Sequence, residues 1–277
     1  MEKKKKLCYY DFRDTTMYAC KADQRFSYCA YVPEAYDENG DDYYKLVVLI
    51  HGTERRAQNY RDNFIDFAEK YHCIVLAPLF PAGIIEEGEL DSYKFIKFHG
   101  IRFDHILLSM IDEMNEKYRI YPDKFMLHGF SGGGHFVHRF YYLHPERLSA
   151  LSIGAPGMIT YLDENYPWHV GISDFEEQFG QSIDFEQLRK VKVQMVVGDQ
   201  DVETWEINVK DGPLWMDGVD KYGENRIQRL TGLKENYISK GISVRFDLVP
   251  GVNHNGWGIL DAVKDFFAQV IEEEKEV

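Results

Sequence analysis

The chain has 277 residues, of which 44% are hydrophobic and 15% aromatic, and this composition excludes a globally disordered protein because it can bury a sizeable core. The 46 acidic and 32 basic side chains give a formal net charge of −14. This charge argues against a general nucleic-acid binder and against docking on anionic lipid, since both need clustered cations. We therefore expect no nucleic-acid partner and no membrane partner.

The first residues, MEKKKK, resemble the basic start of a signal peptide, but the following LCYYDFRD carries charged residues where an apolar segment is needed. The sequence therefore predicts a solvated N-terminal tail and no secretion signal. No apolar run approaches the ~20 residues of a membrane span. The cysteines form no CxxC pair, which argues against a zinc knuckle; they are Cys8, Cys20, Cys29 and Cys73. We expect reduced thiols and a cytoplasmic protein.

The predicted elements alternate between strand and helix along the chain. The run LVVLI at 46–50 is short and continuously apolar, which is typical of a buried parallel strand. The segment 102–118 carries apolar side chains at helical spacing. Strands are predicted at 26–32, 46–50, 73–80, 124–130, 148–157, 192–198 and 242–249, and helices at 57–71, 102–118, 133–143 and 256–273. This alternation predicts an α/β fold with a mostly parallel central sheet flanked by helices.

One long interruption, residues 157–190, separates two of the predicted strands. It contains aromatic side chains together with several acids. An excursion of this length inside a folded domain usually has a function, often as a lid over a site. We expect a cap-like insertion at about 157–190.

The sequence Gly129-Phe130-Ser131-Gly132-Gly133 fits the pattern G-x-S-x-G, and it lies between a predicted strand and a predicted helix. A nucleophile elbow needs small neighbours because its strand-to-helix turn is crowded and strained. The turn puts the serine hydroxyl at a helix N-terminus, where amide N–H groups stabilise a developing oxyanion. We predict Ser131 as a nucleophile.

A serine hydroxyl is a poor nucleophile unless a base accepts its proton. His254 lies in VPGVNHNGW, between the last predicted strand and the last predicted helix. This is where the architecture delivers a base to the carboxyl edge of the sheet, so His254 is the predicted base. His128, in the strand before Ser131, and His135 and His138, in the helix after it, are interpreted as packing residues.

A carboxylate must orient the base and stabilise its cationic form. The predicted strand KVQMVVG ends in Asp199-Gln200-Asp201, so the chain order is serine, acid, histidine, as in an α/β-hydrolase. Asp201 is the predicted acid, Asp199 the second choice and Glu203 a distant third. Because the triad members lie on segments far apart in the chain, one sheet must bring them together, and we expect a single domain spanning 1–277.

The oxyanion hole needs two backbone donors. The amide of Gly132, directly after the nucleophile, is one candidate. The second is predicted to be the amide of Thr53, in the His51-Gly52-Thr53 segment after the strand LVVLI. Gly52 lets the backbone approach the substrate closely, and His51 is interpreted as a brace for this loop.

These motifs together resemble the esterase and poly(3-hydroxybutyrate)-depolymerase-like group of α/β-hydrolases. The matching pieces, in this order, are HGT at 51–53, GFSGGG at 129–134, GDQD at 198–201 and NH at 253–254. The resemblance implies Ser131, Asp201 and His254 as the triad, and the Thr53 and Gly132 amides as the oxyanion hole. It implies no substrate.

Aromatic residues near the predicted site suggest an apolar or aromatic ester as the small-molecule substrate. The candidate substrate-binding residues are Phe130, Tyr161, Trp168, Trp205 and Trp257. The sequence contains no HExxH, no Walker motif and no G-x-G-x-x-G after the first predicted strand. We therefore expect no metal and no cofactor.

The predicted activity is a serine esterase that works through an acyl-enzyme. A peptidase or amidase would use the same triad and is the alternative, although no large additional domain that could sieve peptides is present. A hydrolase-like binding protein without activity is a third hypothesis, disfavoured because all three triad residue types are present in order. Acids in the 157–190 insertion favour neutral over anionic esters, if the cap overhangs the site.

Overall fold

A computed structural model describes residues 6–210, 212 and 215–275. The predicted N-terminal tail lies outside these residues except for Lys6, as do the last two residues of the acidic C-terminal run. The chain divides into two compact units, Met1–His128 and Gly129–Val277. The expectation of a single domain stays a prediction. None of the helices in the described part is both long and apolar enough to cross a membrane.

In its described residues, from Lys6 on, the first unit contains a mixed sheet and three α-helices. Its strands are β1 (Arg13–Asp14), β2 (Tyr18–Ala19), β3 (Ser27–Val32), β4 (Lys45–Ile50), β5 (Cys73–Leu79), β6 (Lys97–Phe98) and β7 (Ile101–Arg102). Its helices are α1 (Ala57–Asp62), α2 (Ile65–Tyr71) and α3 (Phe103–Lys117), with two 3-10 helices at Tyr9–Asp11 and Ser92–Phe95.

In this unit the strand order is β1-β3-β5-β4. Strands β4 and β5 are parallel, whereas β3 is antiparallel to β1, β2 and β5. Both β4 and β5 are almost completely buried, as their continuous apolar sequences predict. The helix predicted at 57–71 is divided in two, because α1 ends at Asp62 and α2 begins at Ile65.

Strand β8 (Phe125–Phe130) passes from the first unit into the second. The remaining strands of the second unit are β9 (Leu148–Gly154), β10 (Lys192–Gly198) and β11 (Val244–Val249). Its α-helices are α4 (Gly132–Leu143), α5 (Phe175–Phe179), α6 (Phe185–Leu188), α7 (Arg226–Ser239) and α8 (Leu260–Lys275), and a 3-10 helix spans Pro145–Arg147.

Strands β9, β10 and β11 are parallel neighbours in that order. Gly198, the last residue of β10, is in register with Val249, the last residue of β11. Parallel strands in register end at the same edge of a sheet, so the loops that follow them converge there. The predicted alternation of parallel strands and helices is confirmed, and it brings the loops after β10 and β11 together.

Helix α7 is absent from the sequence-based assignment, which leaves the chain between 198 and 242 without an element. The local signals are present nonetheless. Asn225 caps the helix with its side chain, which accepts a hydrogen bond from the Gln228 backbone N–H at 2.9 Å. Leu230, Leu233 and Tyr237 are buried on one face at helical spacing. In the sequence, the charged residues Lys234 and Glu235 between Leu233 and Tyr237 obscure this apolar stripe.

Candidate active site

Ser131 lies at the sharp turn between β8 and α4. Its backbone has φ 55° and ψ −115°, in the left-handed region that favours glycine. The turn is fixed because the Ser131 N–H donates to the Gly154 carbonyl at 2.8 Å. A Cβ on Gly129 would lie 2.5 Å from the carbonyl group of Gly133, so no larger residue fits there without displacing backbone. The first glycine of the G-x-S-x-G pattern is thus required by close packing.

The structure brings Ser131, Asp201 and His254 together within the second unit. His254 Nδ1 lies 2.6 Å from Asp201 Oδ2, and His254 Nε2 lies 3.0 Å from Ser131 Oγ. Asp201 is completely buried, whereas His254 is partly exposed. A carboxylate at Nδ1 fixes the tautomer in which Nε2 accepts the serine proton. This is the hydrogen-bonded arrangement that nucleophilic catalysis by serine requires.

The two aspartates after β10 have different surroundings. Asp199 Oδ1 accepts a hydrogen bond from the Gly251 N–H at 2.7 Å, in the turn that leads to His254. Asp201 faces the imidazole itself. A Cβ on Gly198 would lie 2.0 Å from the Val252 carbonyl oxygen, so a glycine lets the two loops approach. Asp199 therefore holds the loop that carries His254, and Asp201 pairs with the imidazole of His254.

The ring of Phe130 packs against the imidazole of His254, with centroids 4.7 Å apart and planes inclined by 31°. Phe130 is buried. This contact restricts the orientation of the imidazole ring. The packing of Phe130 and the hydrogen bond to Asp201 therefore together hold the ring in place. Phe130, a predicted substrate-binding aromatic, therefore lies directly against His254.

The other four aromatic candidates lie elsewhere in the second unit. Tyr161 is buried against Tyr222, with ring centroids 3.9 Å apart. Trp168 packs on Phe175 and Phe179 inside the 157–190 segment. Trp205 is 72% exposed on the loop after Asp201. Trp257 is partly buried three residues after His254. Substrate contact by any of them stays a prediction.

Gly132 is the first residue of α4, where backbone N–H groups have no partner within the helix. This placement suits its predicted part in an oxyanion hole. Thr53, the predicted second donor, lies in the first unit in the turn after β4, and its carbonyl accepts from Arg55 Nη1 at 2.5 Å. The contribution of the Thr53 amide stays a prediction.

His51 braces the loop after β4, as the sequence predicts. Its Nε2 accepts a hydrogen bond from the Phe80 N–H at 3.0 Å, and its Nδ1 lies 2.8 Å from the Gly52 carbonyl oxygen. The ring is fully buried, and this burial lowers the pKa of His51 to about 3. A neutral imidazole with one donor and one acceptor fits both contacts.

His135 and His138 on α4 anchor the start of the 157–190 segment. His135 Nε2 accepts from the Gly157 N–H at 2.8 Å and from the Met158 N–H at 3.0 Å. His138 Nε2 accepts from the Thr160 N–H at 3.0 Å. Both rings are buried, so the interpretation of these histidines as packing residues is confirmed.

Sequence reasoning missed one charged group beside Asp201. Arg226, the first residue of α7, donates from Nη1 to Asp201 Oδ1 at 3.3 Å. It also contacts the carboxylate of Glu206. The signal that could have revealed it is the cap at Asn225, since the residue after a cap is fixed at the helix N-terminus.

No protein-family model matches the chain, and no curated protein matches it by sequence. Solved structures do match. A poly(3-hydroxybutyrate) depolymerase from Bordetella parapertussis has a TM-score of 0.68 at 21% identity, covering 87% of this chain and 83% of that one. Poly(aspartic acid) hydrolase-1 from Sphingomonas sp. KT-1 has a TM-score of 0.67 at 20% identity, covering 87% and 92%.

An S-formylglutathione hydrolase from Staphylococcus aureus has a TM-score of 0.61 at 13% identity, covering 92% of this chain and 97% of that one. These proteins share the mostly parallel sheet with flanking helices. The chain has the α/β-hydrolase fold. The predicted fold class is therefore confirmed, and the predicted resemblance is confirmed at the level of the fold. At these identities the likeness shows the fold, and the chemistry depends on the site itself.

Proposed function

We propose that this α/β-hydrolase is a serine hydrolase that cleaves carboxylic esters through an acyl-enzyme. The observation that carries the proposal is the continuous hydrogen-bonded chain from Asp201 through His254 to Ser131, at 2.6 and 3.0 Å. A serine on a strained turn supports it, because that geometry places the hydroxyl at a helix N-terminus, where backbone N–H groups have no partner within the helix.

In the proposed mechanism, His254 Nε2 accepts the proton of Ser131 while Ser131 Oγ attacks the ester carbonyl carbon. The oxygen of the tetrahedral intermediate takes the negative charge, and the Gly132 amide stabilises it together with the amide of Thr53. Each such donor contributes about 2.7–4 kcal/mol of transition-state stabilisation. His254 then protonates the leaving alcohol as the carbon–oxygen bond breaks, and water hydrolyses the acyl-enzyme by the same route.

The substrate we propose is a small neutral ester with an apolar or aromatic group. The names of two structural neighbours, a poly(3-hydroxybutyrate) depolymerase and an S-formylglutathione hydrolase, support ester-type chemistry on this fold. Phe130 beside His254 supports an apolar wall next to the base. The same proposal includes substrate contacts from Tyr161, Trp168, Trp205 and Trp257. It also includes a cytoplasmic location and the absence of nucleic-acid and membrane partners.

A fluorophosphonate probe and a substrate panel test the proposal. We expect the probe to label the wild type at Ser131 and to leave Ser131→Ala unlabelled. We expect the wild type to hydrolyse p-nitrophenyl acyl esters faster than aminoacyl-p-nitroanilides, and Ser131→Ala to lose this activity. Preferred cleavage of the anilides would identify a peptidase or amidase. A folded wild type that takes no label would favour a binding protein.

A further inference from the structure

The buried carboxylate of Asp201 is bound on both of its oxygens. Oδ2 faces His254 Nδ1 at 2.6 Å, and Oδ1 accepts from Arg226 Nη1 at 3.3 Å. Among the residues that the structure describes, no other side chain donates to this carboxylate. Because Asp201 is 0% exposed, bulk water does not take the place of either donor. A buried carboxylate that loses a hydrogen-bonding partner is strongly destabilised. Because Arg226 occupies Oδ1, Oδ2 is the oxygen that faces His254.

Arg226 joins Asp201 to a second, solvent-facing acid. Its side chain is 2% exposed, and Nη2 contacts the Glu206 carboxylate, which is 48% exposed on the loop after Asp201. One cation therefore lies between two carboxylates. The negative field of Asp201 at His254 is reduced by Arg226, and Glu206 in turn reduces the effect of Arg226.

The first turn of α7 fixes Arg226 in this position. Asn225 caps the helix, and Arg229, one turn further on, donates to the carbonyl oxygens of Gly157 at 2.6 Å and Ile207 at 3.1 Å. Arg229 is completely buried. The loop that carries Glu206 is thus attached to the same helix by a second arginine, which keeps Glu206 within reach of Arg226.

We propose that Arg226 is a positioning residue for the triad acid and that Glu206 tunes its effect on the base. This inference rests on the proposed serine-hydrolase function. Arg226 holds the Asp201 carboxylate so that Oδ2 points at His254 Nδ1. Its charge also disfavours the imidazolium form of His254, whereas the charge of Glu206 favours it by offsetting Arg226.

The charged groups around this chain of contacts set the sign of the expected effects. Asp201 is faced by His254 and Arg226, and Arg226 by Asp201 and Glu206. Burial lowers the pKa of Arg229, and the charge of Arg226 lowers it as well, whereas Tyr161 and Asp220 raise it. On its other contacts His254 meets the neutral groups Ser131 and Phe130.

The test compares the pH dependence of kcat/KM for Arg226→Gln and Glu206→Gln on one p-nitrophenyl ester. For Arg226→Gln we expect kcat to fall by about 10- to 100-fold with little change in KM, as for other partners that orient a catalytic group. We expect the midpoint of its acidic limb to move to higher pH by roughly half a unit to one unit, consistent with a unit charge several ångströms away. Glu206→Gln should move the midpoint the opposite way.

Two controls separate positioning from a structural role. Arg226→Lys keeps the charge, so its midpoint should stay near that of the wild type even where kcat falls. Glu203→Gln removes the same charge as Glu206→Gln from an exposed side chain on the same loop, and should leave the midpoint unchanged. If Arg226→Gln does not fold, Glu206→Gln carries the test, because its side chain is half exposed.

Opposite shifts for the two variants support the inference. Midpoints that do not move, or that move in the same direction, in enzymes that the fluorophosphonate probe still labels would overturn it. A wild type without label or esterase activity would instead overturn the proposed function, so the two failures are distinguishable.

Discussion

At the scale of single residues, two aspartates separated by one position have different tasks. Asp201 pairs with His254, and Asp199 accepts the Gly251 N–H in the loop that carries His254. Their spacing in the sequence leaves the choice of triad acid open. Only the three-dimensional path of the loop separates them, because Asp201 points inwards while Asp199 lies at the surface.

Substitution by asparagine should separate the two aspartates in activity. For Asp201→Asn we expect kcat to fall by about 10⁴-fold, because an amide no longer stabilises the correct histidine tautomer or the imidazolium. For Asp199→Asn we expect most activity to remain, since the amide oxygen still accepts from Gly251. Ester hydrolysis under saturating substrate measures both. A larger loss for Asp199→Asn would show that the acid is wrongly assigned.

At the scale of elements, α4 connects Ser131 to the 157–190 segment. Ser131 precedes its first turn, and His138 accepts a hydrogen bond from the Thr160 N–H at 3.0 Å. Complete burial, with a smaller contribution from Arg139, holds the pKa of His138 well below its ordinary value. The folded protein therefore keeps this imidazole neutral while the unfolded chain binds a proton below about pH 6.5.

His138 should make the free energy of unfolding depend on pH. Its folded pKa is depressed, so its contribution is fully present above about pH 6.5 and is lost as the pH falls. Between pH 7 and pH 5 the expected loss is about 2 kcal/mol, and His138→Gln should lack it. Urea unfolding of both proteins at the two pH values measures the difference. Parallel losses in wild type and variant would refute a neutral, buried His138.

At the scale of the whole molecule, the net charge of −14 bears on the choice of substrate. A negatively charged protein repels anions over distances of about a Debye length, which shortens from about 30 Å at 0.01 M salt to about 8 Å at 0.15 M. Such fields change association rates and hence kcat/KM. The charge therefore favours neutral over anionic esters at low ionic strength.

Two esters of equal chain length test this expectation. We expect kcat/KM for p-nitrophenyl butyrate to exceed that for the anionic p-nitrophenyl succinate by about two- to tenfold at 0.01 M salt. The ratio should decrease as the salt concentration rises to 0.15 M, because screening weakens the repulsion. A preference for the succinate at low salt would point to a cationic subsite and would contradict the neutral-ester proposal.

The predicted strands correspond to β3, β4, β5, β8, β9, β10 and β11, because each is an apolar run bounded by turn residues. The interruption after α1 and the later start of α8, at Leu260 instead of 256, were not predicted. Both depend on local turns whose signals are weak. Helix α7 was missed because charged residues flank its buried leucines, and two of these, Arg226 and Arg229, are themselves buried.

The sequence by itself determined the alternation of strands and helices, the serine turn and the order of serine, acid and histidine. Apolar periodicity and the need for glycine at a turn depend on residues close together in the chain, so both can be predicted from the sequence. Only the tertiary structure decided that Asp201 and not Asp199 faces His254, and that Arg226 binds the far side of that carboxylate. These contacts join residues that are 25 and 53 positions apart in the chain. A buried charge pairs with whichever group the fold brings next to it, and sequence spacing does not determine that group.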